Sequence, residues 1–213
     1  MGEVKKRRNF MNELMGHFEE WGAVIFFIIL YGGALLFIPF YKKMDRKPAG
    51  VYLAFVIAFA IEMHGIPFSM LLIGTIFGEY LPEGILWGHT LFDYVGYAGL
   101  YINVIFVLLG LALIIHGWYI IYHGYWKKVK GSGRVCKQGV YQYVRHPQYT
   151  GLMLISLGMI FGWATLPTLI MFPIIVVMYV RLAKKEEKDM IQEFGEEYIM
   201  YQEKTKKFIP YIW

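Results

Sequence analysis

The chain has 213 residues, of which 57% are hydrophobic and 18% aromatic, with a mean hydropathy of +0.44. Only 17% are charged, against roughly 25% in soluble domains, which excludes an ordinary water-soluble globule. The net charge of +5 is no sign of nucleic acid, because the basic residues cluster at the ends of apolar runs, where anionic lipid attracts them. A single cysteine, Cys136, excludes an intrachain disulfide, and no second ligand at metal-site spacing accompanies it, so no metal is expected.

Several runs are long enough to cross a bilayer, since about 20 apolar residues traverse a ~30 Å hydrocarbon core. The expectation is an all-α polytopic membrane protein forming one domain over residues 1–213. The chain opens with Lys5, Lys6, Arg7 and Arg8, then Glu13, Glu19 and Glu20. No small-residue cleavage site follows the first apolar run, Trp21 to about Tyr41, so that run reads as a permanent span rather than a signal peptide. Lys42, Lys43, Arg46 and Lys47 close it.

A second run extends from Val51 to about Phe77, interrupted by Gly65 and Pro67. Glu62 and His64 sit inside it, which a bilayer interior makes costly unless they are paired or functional. Two residues apart, they do not share a face of a regular helix, although a break at Gly65–Pro67 could bring them together. They are candidates for substrate contact, or for polar packing inside the bundle. The segment 74–96 carries Glu79, Glu83, His89 and Asp93 without Lys or Arg, and a third span runs from Tyr97 to about Ile121. The loop 122–147 then carries Lys127, Lys128, Lys130, Arg134, Lys137 and Arg145 without an acid. By the positive-inside rule the loop is cytosolic and 74–96 lies outside.

Residues 148–183 would span about 54 Å as one helix, far beyond a bilayer core. Gly162, Pro167 and Pro173 interrupt them, so a hairpin of two short helices turning near Gly162–Pro167 is expected, returning to the cytosol at Arg181, Lys184 and Lys185. The count is about five transmembrane helices, with the N-terminus outside. Lys5–Arg8 runs against the charge rule on that side. In the tail, Ile191, Phe194, Tyr198 and Tyr201 repeat at three and four, an amphipathic cytosolic helix. Phe208 to Trp213 reads as an interfacial aromatic anchor.

Between loop and hairpin lies Gly139-Val-Tyr-Gln-Tyr-Val-Arg-His-Pro-Gln-Tyr-Thr-Gly151. A residue before proline is pushed out of the α region, and Pro147 suits a first helical position, so a helix starts at about Pro147 with Arg145 and His146 at its mouth. Unpaired N–H groups there favour an anion. The competing reading is an interfacial Arg and His anchoring a membrane helix against headgroups.

Arg145-His146-Pro147-x-Tyr149-x-Gly151, followed by a hairpin, Glu186-Glu187 and Phe194-Gly195-x-x-Tyr198-x-x-Tyr201, resembles the isoprenylcysteine carboxyl methyltransferase and phospholipid methyltransferase superfamily. The resemblance covers about residues 95–213, which it makes a methyltransferase core, and leaves 1–94 as spans of uncertain role. It implies a membrane enzyme using S-adenosyl-L-methionine from the cytosol on a lipidic or small membrane-soluble acceptor, the bilayer being its other partner. His146, Pro147, Gln148 and Tyr149 would line the cofactor site, with Val135, Cys136 and Tyr141 beside them. Glu186 and Glu187 would hold polar groups of the cofactor, Glu186 preferred, and Tyr198 and Tyr201 of the tail motif would complete the site. Arg145 and Arg181 are the catalytic candidates, although Arg181 is not in register with the arginine that isoprenylcysteine enzymes place before the glutamates. Relatives often carry Gly-Pro-Tyr where this chain has Gly139-Val140-Tyr141. Carboxylate, amine and thiol acceptors all stay open, as do the oligomeric state and two other functions: an NADPH-dependent sterol-reductase-like enzyme and a non-catalytic membrane protein.

Overall fold

The computed structural model describes residues 20–37, 47–64, 66, 68, 69, 72, 76, 97–126 and 135–210. The basic tetrad Lys5–Arg8, residues 77–96, the stretch 127–134 and the last three aromatic-anchor residues lie outside the described residues. The described residues form six α-helices: α1 Trp21–Gly32, α2 Lys47–His64, α3 Tyr97–Ile120, α4 Pro147–Gly162, α5 Leu166–Phe194 and α6 Glu196–Lys204. A 3₁₀ turn, Gly33–Phe37, continues α1, a π turn, Ile121–Trp126, continues α3, and a 3₁₀ turn, Gly139–Gln142, precedes α4. There is no strand among the described residues, only one isolated parallel bridge between Val144 and Lys206.

The fold is all-helical, as expected. Lys47–His64, Tyr97–His123 and Leu166–Phe194 are each long and apolar enough to cross a membrane, while Trp21–Phe37 is a shorter apolar helix. The α3 helix carries Val104, Leu108 and Ile115 exposed on its outer face, a surface suited to hydrocarbon because a helix satisfies its own backbone there. Inward, Tyr52, Phe55 and Phe59 of α2, Leu152 and Met159 of α4 and Ile175 of α5 are almost fully buried in one core.

The helices alternate in direction. The start of α1 meets the end of α2, where His64 Nδ1 contacts Glu20 Oε2 at 2.9 Å and the His64 ring stacks on Phe27. The end of α2 in turn meets the start of α5 through Ser69, whose hydroxyl accepts from Leu166 N at 3.1 Å. At the other end, Phe37 packs on Trp118 of α3 and its carbonyl accepts from Gln148 Nε2 at 3.5 Å. The closest helix pair is α3 with α4. A Cβ on Gly110 would sit 2.6 Å from the Gly151 carbonyl oxygen, so only glycine permits this backbone approach.

The hairpin turns at Trp163–Thr165, inside the expected window. Thr165 caps α5 through a reciprocal pair with Thr168, and Pro167 falls in the first turn, where its missing N–H is harmless. Its second arm is not short. The helix runs through Pro173 and continues for 29 residues to Phe194, so the first half of the expected amphipathic tail is an extension of the span. Gly195 then takes φ +54 and breaks the helix before α6, a conformation that costs glycine little.

Candidate functional site

Gly139, at φ +57, opens the 3₁₀ turn that buries Tyr141. His146 leaves the helical region at φ −123, ψ 59, and Pro147 occupies the first position of α4, as the sequence grammar requires. The mouth of α4 is strapped by the chain beyond α6. Arg145 N donates to Lys206 O at 2.8 Å, His146 N to Lys207 O at 3.1 Å and Lys206 N to Tyr143 O at 3.2 Å. Thr150 Oγ1 ties in the next turn by donating to Phe208 O at 2.9 Å, and Phe208 is buried beside the His146 ring.

The two glutamates, on the last turns of α5, reach this mouth in different ways. Glu187 is buried and saturated: Oε1 accepts from Arg145 Nε at 2.8 Å and faces His146 Nε2 at 3.3 Å, while Oε2 meets Lys207 Nζ at 2.7 Å. Glu186 is more open, its side chain 22% exposed. It accepts from the Tyr149 hydroxyl at 2.5 Å and faces His146 Nδ1 at 3.4 Å. Both nitrogens of His146 therefore point at carboxylates, an arrangement that only the imidazolium satisfies with two donors. Burial by itself would lower the His146 pKa, but hydrogen bonds and charge from Glu186 and Glu187 outweigh it and hold the value above the ordinary one.

Arg145 does more than meet Glu187. Its Nη1 donates to the carbonyls of Gln202, at 3.1 Å, and Thr205. These are the open carbonyls at the end of α6, where a cation is favoured by the helix dipole. Arg145 is thus a strut between α5 and the strap. The tail is further fixed by Tyr201, whose hydroxyl donates to Tyr141 O at 2.6 Å, and by the Tyr198–Tyr201 ring contact. Two hydroxyls in this neighbourhood, Tyr141 and Tyr179, are buried without a hydrogen-bond partner among the described residues.

The structure thus gathers Tyr141, Arg145, His146, Tyr149, Glu186, Glu187, Tyr198 and Tyr201 at one end of the bundle. Pro147 and Gln148 are buried there too, although the Gln148 amide turns toward Phe37. Val135 and Cys136 are half-buried, and burial raises the Cys136 thiol pKa against one opposing backbone hydrogen bond from Gln138. Arg181 is exposed on α5 and makes none of these contacts. Glu62 and His64 lie at the opposite end. Glu62 is buried and accepts from Ser69 N at 3.0 and 3.1 Å and from Ser69 Oγ at 3.1 Å, while His64 pairs with Glu20. The sequence reading missed Lys207, Thr205 and Tyr179. No group of three or more His, Cys, Asp or Glu side chains that could hold a metal occurs among the described residues.

A helical bundle whose long helices suit a bilayer thus carries an acidic pair and a His-Pro helix mouth strapped together at one end. Residues 84–197 match the phospholipid methyltransferase family, more than half of the chain, and the chain belongs to that family. No curated protein matches this chain.

Proposed function

We propose that the protein methylates a lipidic or membrane-associated acceptor with S-adenosyl-L-methionine bound at the mouth of α4, on the cytosolic side. The observation that carries this reading is the unequal use of the acidic pair. Glu187 is saturated by Arg145, His146 and Lys207, whereas Glu186 keeps open acceptor capacity beside the unpartnered Tyr141 hydroxyl. A carboxylate and a phenol with free valence suit the ammonium and hydroxyl groups of the cofactor, and the open N–H groups at the start of α4 suit its carboxylate. The residues present therefore fit the group. Lys184 and Lys185 flank this end of α5, and the positive-inside rule then assigns it to the cytosol.

When bound, the cofactor supplies a sulfonium methyl that transfers to an acceptor lone pair by in-line displacement. What the chain contributes is placement and exclusion of water. The strap holds His146 and Glu186 in register, and the aromatic rings of Tyr149, Tyr179 and Phe208 wall the site from solvent. An amine or thiol acceptor must lose a proton, and Glu186 is the carboxylate with room to take it. Among the described residues, Arg145 and Lys207 both engage Glu187, so neither is free to clamp a 2′-phosphate, which weighs against the NADPH reading.

Calorimetry on the purified chain tests the proposal. Wild type should bind S-adenosylmethionine, and His146→Ala should bind it about ten- to hundredfold more weakly, because Glu186 loses the charged hydrogen bond that positions it. Binding of NADPH with no binding of S-adenosylmethionine would overturn it.

A further inference from the structure

Tyr179 lies on α5 seven residues before Glu186, two helical turns or about 10 Å deeper into the bundle and on the same face. It is 1% exposed. Its ring lies 5.0 Å from that of Tyr149, the residue whose hydroxyl bonds Glu186, so it stands directly behind the mouth of α4. Yet among the described residues its hydroxyl has no hydrogen-bond partner. Tyr52 and Tyr149 belong to the same core cluster and are both paired, Tyr52 donating to Tyr31 O at 3.2 Å. Phenylalanine would fill the volume of Tyr179 without leaving a polar atom unsatisfied, and native cores rarely tolerate such an atom.

We infer that the Tyr179 hydroxyl is a binding contact for the polar end of the methyl acceptor, seated behind the cofactor site at the junction of α2, α4 and α5. The inference rests on the methyltransferase reading given above. The charged groups are gathered at the mouth, where they match a zwitterionic cofactor. Behind them stands a neutral hydroxyl without a partner, in a core that includes Phe55, Leu152, Met159 and Ile175. That pattern recognises one oxygen or nitrogen on an otherwise apolar molecule, the form of a lipid arriving from the bilayer. A phenol there donates to the acceptor's polar atom and fixes its distance to the cofactor.

The experiment uses the full chain reconstituted in phosphatidylcholine vesicles doped with phosphatidylethanolamine, with methyl-labelled S-adenosylmethionine. Tyr179→Phe should raise the phosphatidylethanolamine fraction needed for half-maximal transfer about tenfold. It should leave cofactor affinity unchanged and leave the thermal midpoint equal or higher, since the free hydroxyl has no partner to lose. Tyr52→Phe is the control: it breaks a made hydrogen bond, so its midpoint falls while its lipid dependence stays at wild type. An unchanged lipid dependence in Tyr179→Phe, or a midpoint that falls as that of Tyr52→Phe does, overturns the inference. Wild type that binds S-adenosylmethionine but transfers no methyl to phosphatidylethanolamine or to a total membrane lipid extract overturns the lipid contact alone. Failure of wild type to bind S-adenosylmethionine overturns the underlying reading instead.

Discussion

Replacing each member of the acidic pair by glutamine should separate folding from binding. Glu187 is 8% exposed and sits between Arg145 at 10% and Lys207 at 15%, at 2.8 and 2.7 Å. Glu187→Gln leaves both cations buried beside a neutral amide, and breaking a buried pair by removing one partner costs about 3–5 kcal/mol. The amide oxygen still accepts one hydrogen bond, so the lower end, about 3 kcal/mol, is expected. For a chain of this size that corresponds to a midpoint roughly 6–12 °C lower. Glu186→Gln keeps an acceptor for Tyr149 and leaves His146 its contact with Glu187, so its midpoint should stay near wild type. Its cofactor affinity should instead fall about ten- to hundredfold. Scanning calorimetry in detergent reads the first effect and titration calorimetry the second. A Glu187→Gln protein as stable as wild type, or a Glu186→Gln protein that melts early and binds cofactor normally, would refute this division of roles.

Protonation of His146 should make stability depend on pH. Its folded pKa is raised, so its contribution is complete below about 6.5 and is lost as pH rises through the folded value. The wild-type midpoint should therefore decline across that window relative to His146→Gln, and parallel curves would contradict the assignment. The glycine contact between α3 and α4 makes a separate prediction. In Gly110→Ala the new methyl meets the Gly151 carbonyl oxygen at 2.6 Å and Ile155 Cγ1 at 2.7 Å, so α3 must shift, at about 1–3 kcal/mol. Gly50→Ala meets nothing within 4 Å and should unfold with wild type in the same thermal scan.

Much of this architecture was legible because it is local. Pro147 announced a helix start, Gly162 to Pro167 announced a turn, and the apolar runs announced the bundle; each depends on a few neighbouring residues. The extent of α5 was harder to read, since Pro173 and the charged Lys184–Glu187 stretch suggested an end where the helix continues to Phe194. Gly195 was the one residue that marked the true break. At the site, the helix-start grammar placed Arg145 and His146 at the mouth of α4, while Glu186 and Glu187 were singled out only through the family resemblance. The bracing contacts of Arg145 were not legible, because its partners Gln202 and Thr205 are backbone carbonyls 57 and 60 residues away. Lys207 and Tyr179 escaped for related reasons. A lysine in a basic tail resembles any surface lysine, and a tyrosine in an apolar run resembles packing until its hydroxyl is seen to lack a partner.

The strap also bears on how the chain is made. Arg145 leaves the ribosome 60 residues before Thr205, whose carbonyl it caps. At ~5–20 residues per second it waits about 3–12 s with no tail to meet. During that interval α4 and then α5 leave the ribosome while the mouth carries an unneutralised guanidinium. A guanidinium resists entry into hydrocarbon, so the charge that later braces the site should first hold the start of α4 at the membrane surface. Nascent chains arrested before Thr205 should therefore hold α4 at the correct depth while lacking the strapped mouth.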